Sequence, residues 1–209
     1  IIQKIDAVLK DEQPDWVLVH GDTTTSSMVA LAAFHRGIKV GHVEAGLRTY
    51  DKRSPFPEEL NRQLTGRIAD AHFAPTSKSV KNLLNENVKV DSVIETGNTV
   101  VDALRLGIDI IKNKKNPELD IIKSKIDTSK KIILITGHRR ENFGQGFIDL
   151  CDALRKIAKR NDVELIYPVH LNPNVKDVVY EKLGHFDNIH LIPPVDYPTM
   201  LGLLKQSYL

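Results

Sequence analysis

Short apolar runs alternate with helical patterns along most of this chain, and this alternation constrains its fold more than any other feature. Seven runs are typical of β-strands: residues 16–20, 39–43, 71–74, 92–96, 131–136, 163–168 and 189–192. The segments between them carry helical spacing: residues 24–36, 57–68, 76–86, 99–112, 146–160 and 174–183. Strands that each lead into a helix form parallel sheets through right-handed crossovers. The sequence therefore predicts an α/β fold.

The alternation is interrupted once, between residues 112 and 131. This segment opens with a polar, proline-containing stretch, Lys112-Asn113-Lys114-Lys115-Asn116-Pro117, which is typical of a domain boundary. We predict two doubly wound, Rossmann-like domains with a cleft between them. The predicted parts are residues 1–112, a linker at 113–130, and residues 131–209.

Both ends of the sequence look cut. Residues 1–10 have the pattern of the middle of an amphipathic helix, without a preceding cap. At the other end a helix starts at Tyr197 and stops at Ser207-Tyr208-Leu209, as if another strand were beginning. We expect the chain to be an internal piece of a longer protein, with each domain incomplete.

Composition excludes several classes of protein. The chain has 209 residues, 41% hydrophobic and 27% charged, with a formal net charge of +2. This balance argues against nucleic acid or an anionic membrane as the main partner. Cys151 is the only cysteine, so a disulfide within the chain is impossible and a reducing compartment fits. No apolar run approaches the roughly 18 residues of a membrane span, and no signal segment opens the chain. We expect a cytoplasmic location.

Two acidic residues follow neighbouring predicted strands, and a histidine stands two positions before each. The pairs are His20-x-Asp22 and His42-x-Glu44. Because parallel strands end at one edge of a sheet, both acids are predicted to meet in the crevice where such sheets bind ligands. Two carboxylates there are costly unless their proton chemistry is used. The alternatives are helix capping by the hydroxyls after Asp22 and a surface ion pair between Glu44 and Arg48.

A third acid lies in the segment that follows the Glu44 strand. Pro57 suits the first position of a helix, and Glu58 and Glu59 suit its first turn, where acids interact with the helix dipole. That dipole role is the alternative explanation for Glu58. The segment can also fold over the crevice that holds the first two acids.

The second predicted domain supplies a histidine with two arginines. His138, Arg139 and Arg140 follow the strand at 131–136, and this combination fits a ligand that carries phosphate. The alternative is a solvated basic loop. His170 ends the next strand in the same way, and its alternative is a turn histidine capped by Asn172.

Three functions from different classes fit these residues. The two His-x-acid pairs resemble metal-ligand spacing, which suggests a metal-dependent hydrolase. The acids together with His138 and the arginines suit metal-free acid–base chemistry on a phosphate-linked small molecule. A binding module for a nucleotide sugar would explain the arginines but not the acids. Phosphate-loop, dinucleotide-binding, serine-elbow and Cys-x-x-Cys zinc motifs are absent from the sequence.

Five strings occur in an order that is more specific than any one of them. They are His20-Gly21-Asp22-Thr23-Thr24-Thr25, Gly41-His42-Val43-Glu44-Ala45-Gly46-Leu47-Arg48-Thr49, Pro55-Phe56-Pro57-Glu58-Glu59-Leu60-Asn61-Arg62, Thr96-Gly97-Asn98-Thr99-Val100-Val101-Asp102 and Thr136-Gly137-His138-Arg139-Arg140-Glu141-Asn142. Together they closely resemble the non-hydrolysing UDP-N-acetylglucosamine 2-epimerases of bacteria. The hydrolysing relatives, which release N-acetylmannosamine and UDP, differ after the first Gly-Asp and rank second.

The resemblance implies a fold and an activity. The fold is like that of GT-B glycosyltransferases, with the active site between two domains, the second of which binds the nucleotide. The activity is the reversible conversion of UDP-N-acetylglucosamine to UDP-N-acetylmannosamine, through loss of UDP to give 2-acetamidoglucal and its re-addition. These enzymes are usually homodimers, use no metal or other cofactor, and feed cell-envelope polysaccharide synthesis.

The resemblance also implies site residues. The catalytic set is Asp22, Glu44, Glu58 and His138. The substrate-binding set is Asp22, Glu44, His138, Arg139, Glu141 and Asn142. His170 lies in a motif similar to the contact with a second, activating UDP-N-acetylglucosamine. The family's Gly-Thr-Arg-Pro-Glu loop and its Asp-Ser-Gly-Gly loop are absent here, so we expect the 209-residue piece alone to be inactive.

Overall fold

The chain divides into two compact units in a computed structural model. The structure describes residues 1–137 and 145–209, the side chain of Asn174 excepted. The first unit comprises Ile1–Asp102 and the second Ala103–Leu209.

The first unit is a four-stranded parallel sheet with its helices. Its elements are α1 (Ile2–Glu12), β1 (Trp16–His20), α2 (Thr24–His35), β2 (Lys39–Val43), α3 (Glu58–Ile68), β3 (Ala71–Ala74), α4 (Ser77–Asn85), a 3₁₀ turn (Val90–Ser92), β4 (Val93–Glu95) and the start of α5 (Thr99–Ile111). The strands lie in the order β1-β2-β3-β4, and every neighbouring pair is parallel. The α/β prediction is confirmed, and β1, β2 and β3 have the predicted bounds.

The first unit has two buried apolar clusters, and the larger one joins β1 and β2 to two helices. Val19 of β1 and Val40 of β2 are buried there against Leu9 of α1 and the small residues Ala30 and Ala33 of α2. The small side chains let α2 approach the strands closely. This packing fixes the register of the strands whose ends carry the predicted acids.

The second unit is a three-stranded parallel sheet. Its elements are the rest of α5, α6 (Pro117–Lys123), β5 (Lys131–Leu134), α7 (Gln145–Ala158), β6 (Val163–Pro168), α8 (Pro173–Leu183), β7 (Ile189–Ile192) and α9 (Tyr197–Gln206). The strands lie in the order β5-β6-β7. Tyr208 N donates to Ile132 O (2.7 Å) and Leu134 N donates to Leu209 O (2.8 Å), so the chain pairs with the edge of β5 after α9.

Helix α6 lies inside the predicted linker and was not predicted. Asn116 caps it, since its side chain accepts a hydrogen bond from Leu119 N at 2.9 Å, and Pro117 occupies the first turn. Leu119 and Ile122 are buried in a cluster with Ile132 of β5. Only two of its residues are buried, which gave too little periodicity to reveal this helix. The division into domains and linker stays a prediction.

Within residues 1–137 and 145–209, no helix is long and apolar enough to cross a membrane.

Candidate active site

The turn between β1 and α2 is built around Gly21. Its φ of +68° is a conformation that glycine adopts without strain. Gly21 N donates to Val43 O at 2.9 Å, and its carbonyl accepts from His42 Nε2 at 2.9 Å. Thr23 then caps α2 by accepting a hydrogen bond from Ser26 N (3.1 Å), so the capping explanation holds for this hydroxyl. Strand β2 thus fixes the turn that carries Asp22.

Asp22 is held by helix α3 at two points. Arg62 Nη2 donates to Asp22 Oδ2 at 2.6 Å, and the Arg62 side chain is only 11% exposed. Asn61 Nδ2 donates to the Asp22 carbonyl at 2.9 Å. The sequence indicated no local partner for Asp22; the structure supplies one from 40 residues further along the chain.

Glu44 follows β2 in a left-handed conformation, with φ of +66°. Its Oε2 lies 3.3 Å from His20 Nε2 at the end of β1, and its side chain is 31% exposed. The alternative pairing of Glu44 with Arg48 is wrong. The buried guanidinium of Arg48 instead binds both carboxylate oxygens of Glu86, at 2.7 and 2.8 Å.

Glu58 and its neighbour Glu59 have different environments at the start of α3. Pro57 is the N-cap and Glu58 the first helical residue, one position later than predicted. Glu58 is partly exposed, whereas Glu59 is fully buried. Sequence reasoning gave Glu59 no role, because adjacent acids in a first helical turn look alike.

Glu59 binds the loop that follows Glu44. Its carboxylate accepts from Thr49 N (3.1 Å), Tyr50 N (3.0 Å) and Gln63 Nε2 (2.7 Å), and Arg62 Nη1 lies 3.5 Å away. Burial by itself would raise the pKa of Glu59, but these hydrogen bonds and the Arg62 charge outweigh it and lower the pKa. Glu59 is therefore ionised and ties the loop to α3.

Two buried histidines lie side by side beneath these residues. His42 of β2 pairs in register with His72 of β3, and both are at most 1% exposed. Burial lowers the pKa of His42 to about 4, and the nearby charges of His72 and Arg48 act in the same direction. Burial also lowers the pKa of His72. At neutral pH His42 is uncharged and donates its Nε2 proton to Gly21 O.

The two His-x-acid pairs do not form the metal clamp that their spacing suggested. His42 Nε2 binds the Gly21 carbonyl and Asp22 Oδ2 binds Arg62, so these ligand atoms have other partners. In the part of the chain that the structure describes, no group of three or more His, Cys, Asp or Glu residues is arranged to hold a metal ion.

The predicted site residues of the second unit lie mostly outside the described residues. These are His138, Arg139, Glu141 and Asn142. The residue before them is firmly held, since the buried Tyr167 donates its hydroxyl to Gly137 O at 2.7 Å. A side chain at Gly137 would approach this hydroxyl to 3.1 Å, so Tyr167 would have to shift by a few tenths of an ångström to make room for it.

The structure contains the hydrogen bond expected if His170 is a turn histidine capped by Asn172. Asn172 N donates to His170 Nδ1 at 3.1 Å, so the imidazole closes the turn before α8. This hydrogen bond leaves the predicted regulatory role untested.

The two Rossmann-like α/β units, with acids that follow neighbouring parallel strands, define an α/β protein with a candidate acid–base site. A family model described as UDP-N-acetylglucosamine 2-epimerase matches residues 1–209. The chain belongs to this family. The fold class is also confirmed, because the solved relatives have the predicted GT-B-like fold.

Relatives with this name are similar along the whole chain. The UDP-N-acetylglucosamine 2-epimerase of Campylobacter jejuni is 51% identical over 207 residues, covering 96% of this chain and 54% of that protein. The crystal structure of the UDP-GlcNAc 2-epimerase from Neisseria meningitidis bound to UDP-GlcNAc has a TM-score of 0.89 at 44% identity. The match covers 99% of this chain and 56% of that one.

A more distant structure agrees. The UDP-GlcNAc 2-epimerase of Methanocaldococcus jannaschii, in complex with UDP-GlcNAc and UDP, has a TM-score of 0.83 at 34% identity. The match covers all of this chain and 57% of that one. The chain thus spans about half the length of the curated relatives it matches.

Proposed function

We propose that the full-length protein containing this chain interconverts UDP-N-acetylglucosamine and UDP-N-acetylmannosamine without net hydrolysis. The observation that supports this most is the pair of acids after neighbouring parallel strands, Asp22 in contact with Arg62 and Glu44 in contact with His20, in a chain of this family. The relative from Neisseria meningitidis was solved with UDP-GlcNAc bound, which supports the choice of substrate.

The reaction inverts a carbon that carries one hydrogen. A base removes the proton from C2 while the C1–O bond breaks, UDP leaves with the bonding electrons, and a C1=C2 double bond forms in 2-acetamidoglucal. An acid then delivers a proton to the opposite face of C2 as the UDP oxygen re-forms its bond to C1. This scheme needs two proton-transfer groups and a cationic group for the departing UDP.

The residues that we propose for these roles differ in their surroundings. Asp22, paired with Arg62, and Glu44, next to His20, are assigned to the two proton transfers. Glu58 supports them or exchanges roles with them. His138, with Arg139, Glu141 and Asn142, is assigned to the glycosidic oxygen and the phosphates by resemblance.

Exchange with solvent tests the elimination step. Full-length protein incubated with UDP-N-acetylglucosamine in D₂O is expected to place deuterium at C2 of the sugar, observed by ¹H NMR. Turnover without deuterium at C2 would reject proton removal at this carbon.

The products separate epimerisation from hydrolysis. The same NMR samples are expected to contain UDP-N-acetylmannosamine. Accumulation of free N-acetylmannosamine and UDP would instead support the hydrolysing relatives, the second candidate from the sequence.

We also propose that UDP-N-acetylglucosamine activates the enzyme at a second site that includes His170, and that the full-length protein is a homodimer. Initial rates are then expected to rise sigmoidally with substrate, and the His170→Ala variant to give a weaker sigmoid. Analytical ultracentrifugation measures the oligomeric state, and a monomeric active enzyme would reject the dimer.

A further inference from the structure

Arg62 links two acids that lie on different elements. Its Nη2 donates to Asp22 Oδ2 at 2.6 Å, and its Nη1 lies 3.5 Å from Glu59 Oε2. Glu59 in turn holds the amides of Thr49 and Tyr50, in the loop that begins at Glu44. A single side chain of α3 therefore connects the β1–α2 turn with the β2–α3 loop.

The contact with Asp22 constrains the carboxylate in a way that matters for proton transfer. Arg62 occupies Oδ2, so Oδ1 is the oxygen that can exchange a proton with a substrate. Asn61 fixes the backbone of Asp22 at the same time, through its 2.9 Å hydrogen bond to the carbonyl. Backbone and side chain are thus both held by consecutive residues of one helix.

The burial of the Arg62 side chain is unfavourable in free energy. Its side chain is 11% exposed, and its Nε is buried without a hydrogen-bond partner among residues 1–137 and 145–209. A buried, unpaired N–H is unfavourable, so the side chain is expected to make another interaction that compensates for it. The gain here is the short, charge-assisted hydrogen bond to Asp22.

We propose that Arg62 is a positioning residue for the reaction, which holds the Asp22 carboxylate with Oδ1 directed to the sugar, and that Glu59 supports Arg62 in this role. The proposal rests on the proposed function. Arg62 does not itself act on the substrate; its contribution to turnover passes through the Asp22 carboxylate.

A double-mutant cycle on the full-length protein tests this route. Arg62→Lys keeps the charge but cannot reach Asp22 and Glu59 together. It is expected to lower kcat by about 10-fold or more, with little change in KM, because small misplacements of a catalytic group are costly. In an Asp22→Asn background the same substitution is expected to change kcat by less than about two-fold.

Arg36→Lys is the matched control. Arg36 pairs with Asp6 and follows the last residue of α2, about 18 Å from the start of that helix at 1.5 Å per helical residue, whereas Asp22 precedes its start. It is expected to leave kcat unchanged. Should Arg62→Lys not fold, as judged by urea unfolding, Glu59→Gln takes its place in the cycle with the same expected non-additivity.

The outcomes separate this inference from the proposed function, because turnover is followed as consumption of UDP-N-acetylglucosamine whatever the product. Additive losses of kcat from Arg62→Lys and Asp22→Asn in an active enzyme would overturn the positioning role and leave the function intact. Hydrolytic products would replace epimerisation by hydrolysis as the proposed function, and the double-mutant cycle could still be interpreted. A wild-type protein that consumes no substrate would reject both.

Discussion

Residues of one type have different roles in this protein because their surroundings differ. Glu59 is buried and ionised, while Glu58 beside it is partly exposed. His42 is buried and uncharged at neutral pH, while the His20 side chain is 63% exposed and contacts Glu44. The sequence identified the residue types of the site; burial and partners decide what each one does.

Removing either proposed proton-transfer group should impair turnover in the full-length protein. Asp22→Asn and Glu44→Gln keep the size of the side chain but cannot accept a proton from C2. Each is expected to lower kcat by at least about 10²-fold, the usual loss of a general acid or base. Steady-state assays measure this, and a near-wild-type rate in either variant would remove that residue from the proton path.

His42 should make the stability of the first unit depend on pH. Its pKa is about 4 in the folded chain, below the value of about 6.5 in an unfolded one. Between these values the unfolded state binds a proton that the folded state does not. The free energy of unfolding is therefore complete above about pH 6.5 and falls on acidification, by up to about 3 kcal/mol near pH 4.

Urea unfolding at several pH values measures this loss. The lowered pKa of His72 acts in the same direction. His42→Gln can still donate to Gly21 O but does not titrate, so its stability should depend less on pH. An equally steep dependence in this variant would contradict the assignment to His42.

At the scale of elements, α3 has an inverted pattern of burial. Its polar residues Glu59, Asn61 and Thr65 are buried, whereas Leu60 and Leu64 are 43% and 44% exposed. An apolar stripe in a sequence is expected to face the core. Here the polar face packs inward, because its side chains bind Asp22 and the loop after Glu44.

The burial of the polar face of α3 predicts that the adjacent acids Glu58 and Glu59 contribute differently to the free energy of unfolding. Glu59→Gln removes the charge that accepts two backbone amides and faces Arg62, and should lower the free energy of unfolding by about 1–3 kcal/mol. Glu58→Gln is the matched control, expected within about 0.5 kcal/mol of wild type. Urea unfolding compares them, and equal effects would contradict the special role of the buried acid.

The loop after β2 depends on Gly46 for its packing on α4. Gly46 has φ of +87°, and a side chain there would approach Ser79 O to 2.3 Å. Gly37 also has positive φ (+71°), and apart from its chain neighbours none of the described residues has a heavy atom within 4 Å of such a side chain. Gly37→Ala should therefore cost only the conformational strain, about 1–2 kcal/mol.

Gly46→Ala should cost that strain and a further clash of about 1–3 kcal/mol. Thermal or urea unfolding of the two variants gives the difference. Equal losses would mean that α4 moves to accommodate the new methyl group.

At the scale of the whole molecule, the chain covers only about half the length of its curated relatives, and this bears on whether it is active alone. The match covers 96% of this chain and 54% of the Campylobacter jejuni enzyme. We predict that residues 1–209 alone do not epimerise UDP-N-acetylglucosamine, while the full-length protein does, because they span only about half the length of these relatives. Coupled assays on both proteins measure this, and epimerisation by the shorter one would refute the prediction.

Local patterns determined much of the fold and the members of the candidate site. Short apolar runs separated by helical spacing predicted seven parallel strands and most helices, because strands such as β2 and β6 bury consecutive residues in a parallel sheet. Short motifs predicted Asp22, Glu44 and Glu58 as candidate site residues, since acid–base chemistry requires particular side chains after particular strands, and their catalytic roles stay a prediction. The same reasoning missed α6, whose two buried residues are too few to make a pattern.

Only the tertiary structure decided how these residues are held. The pairs Asp22–Arg62 and Arg48–Glu86, and the burial of Glu59 in place of Leu60, join residues that are far apart in sequence or follow no period. Spacing along a chain reports which face of an element is apolar. It does not report which distant charge a side chain meets once helices and strands pack, and in this protein that pairing fixes the geometry of the acids.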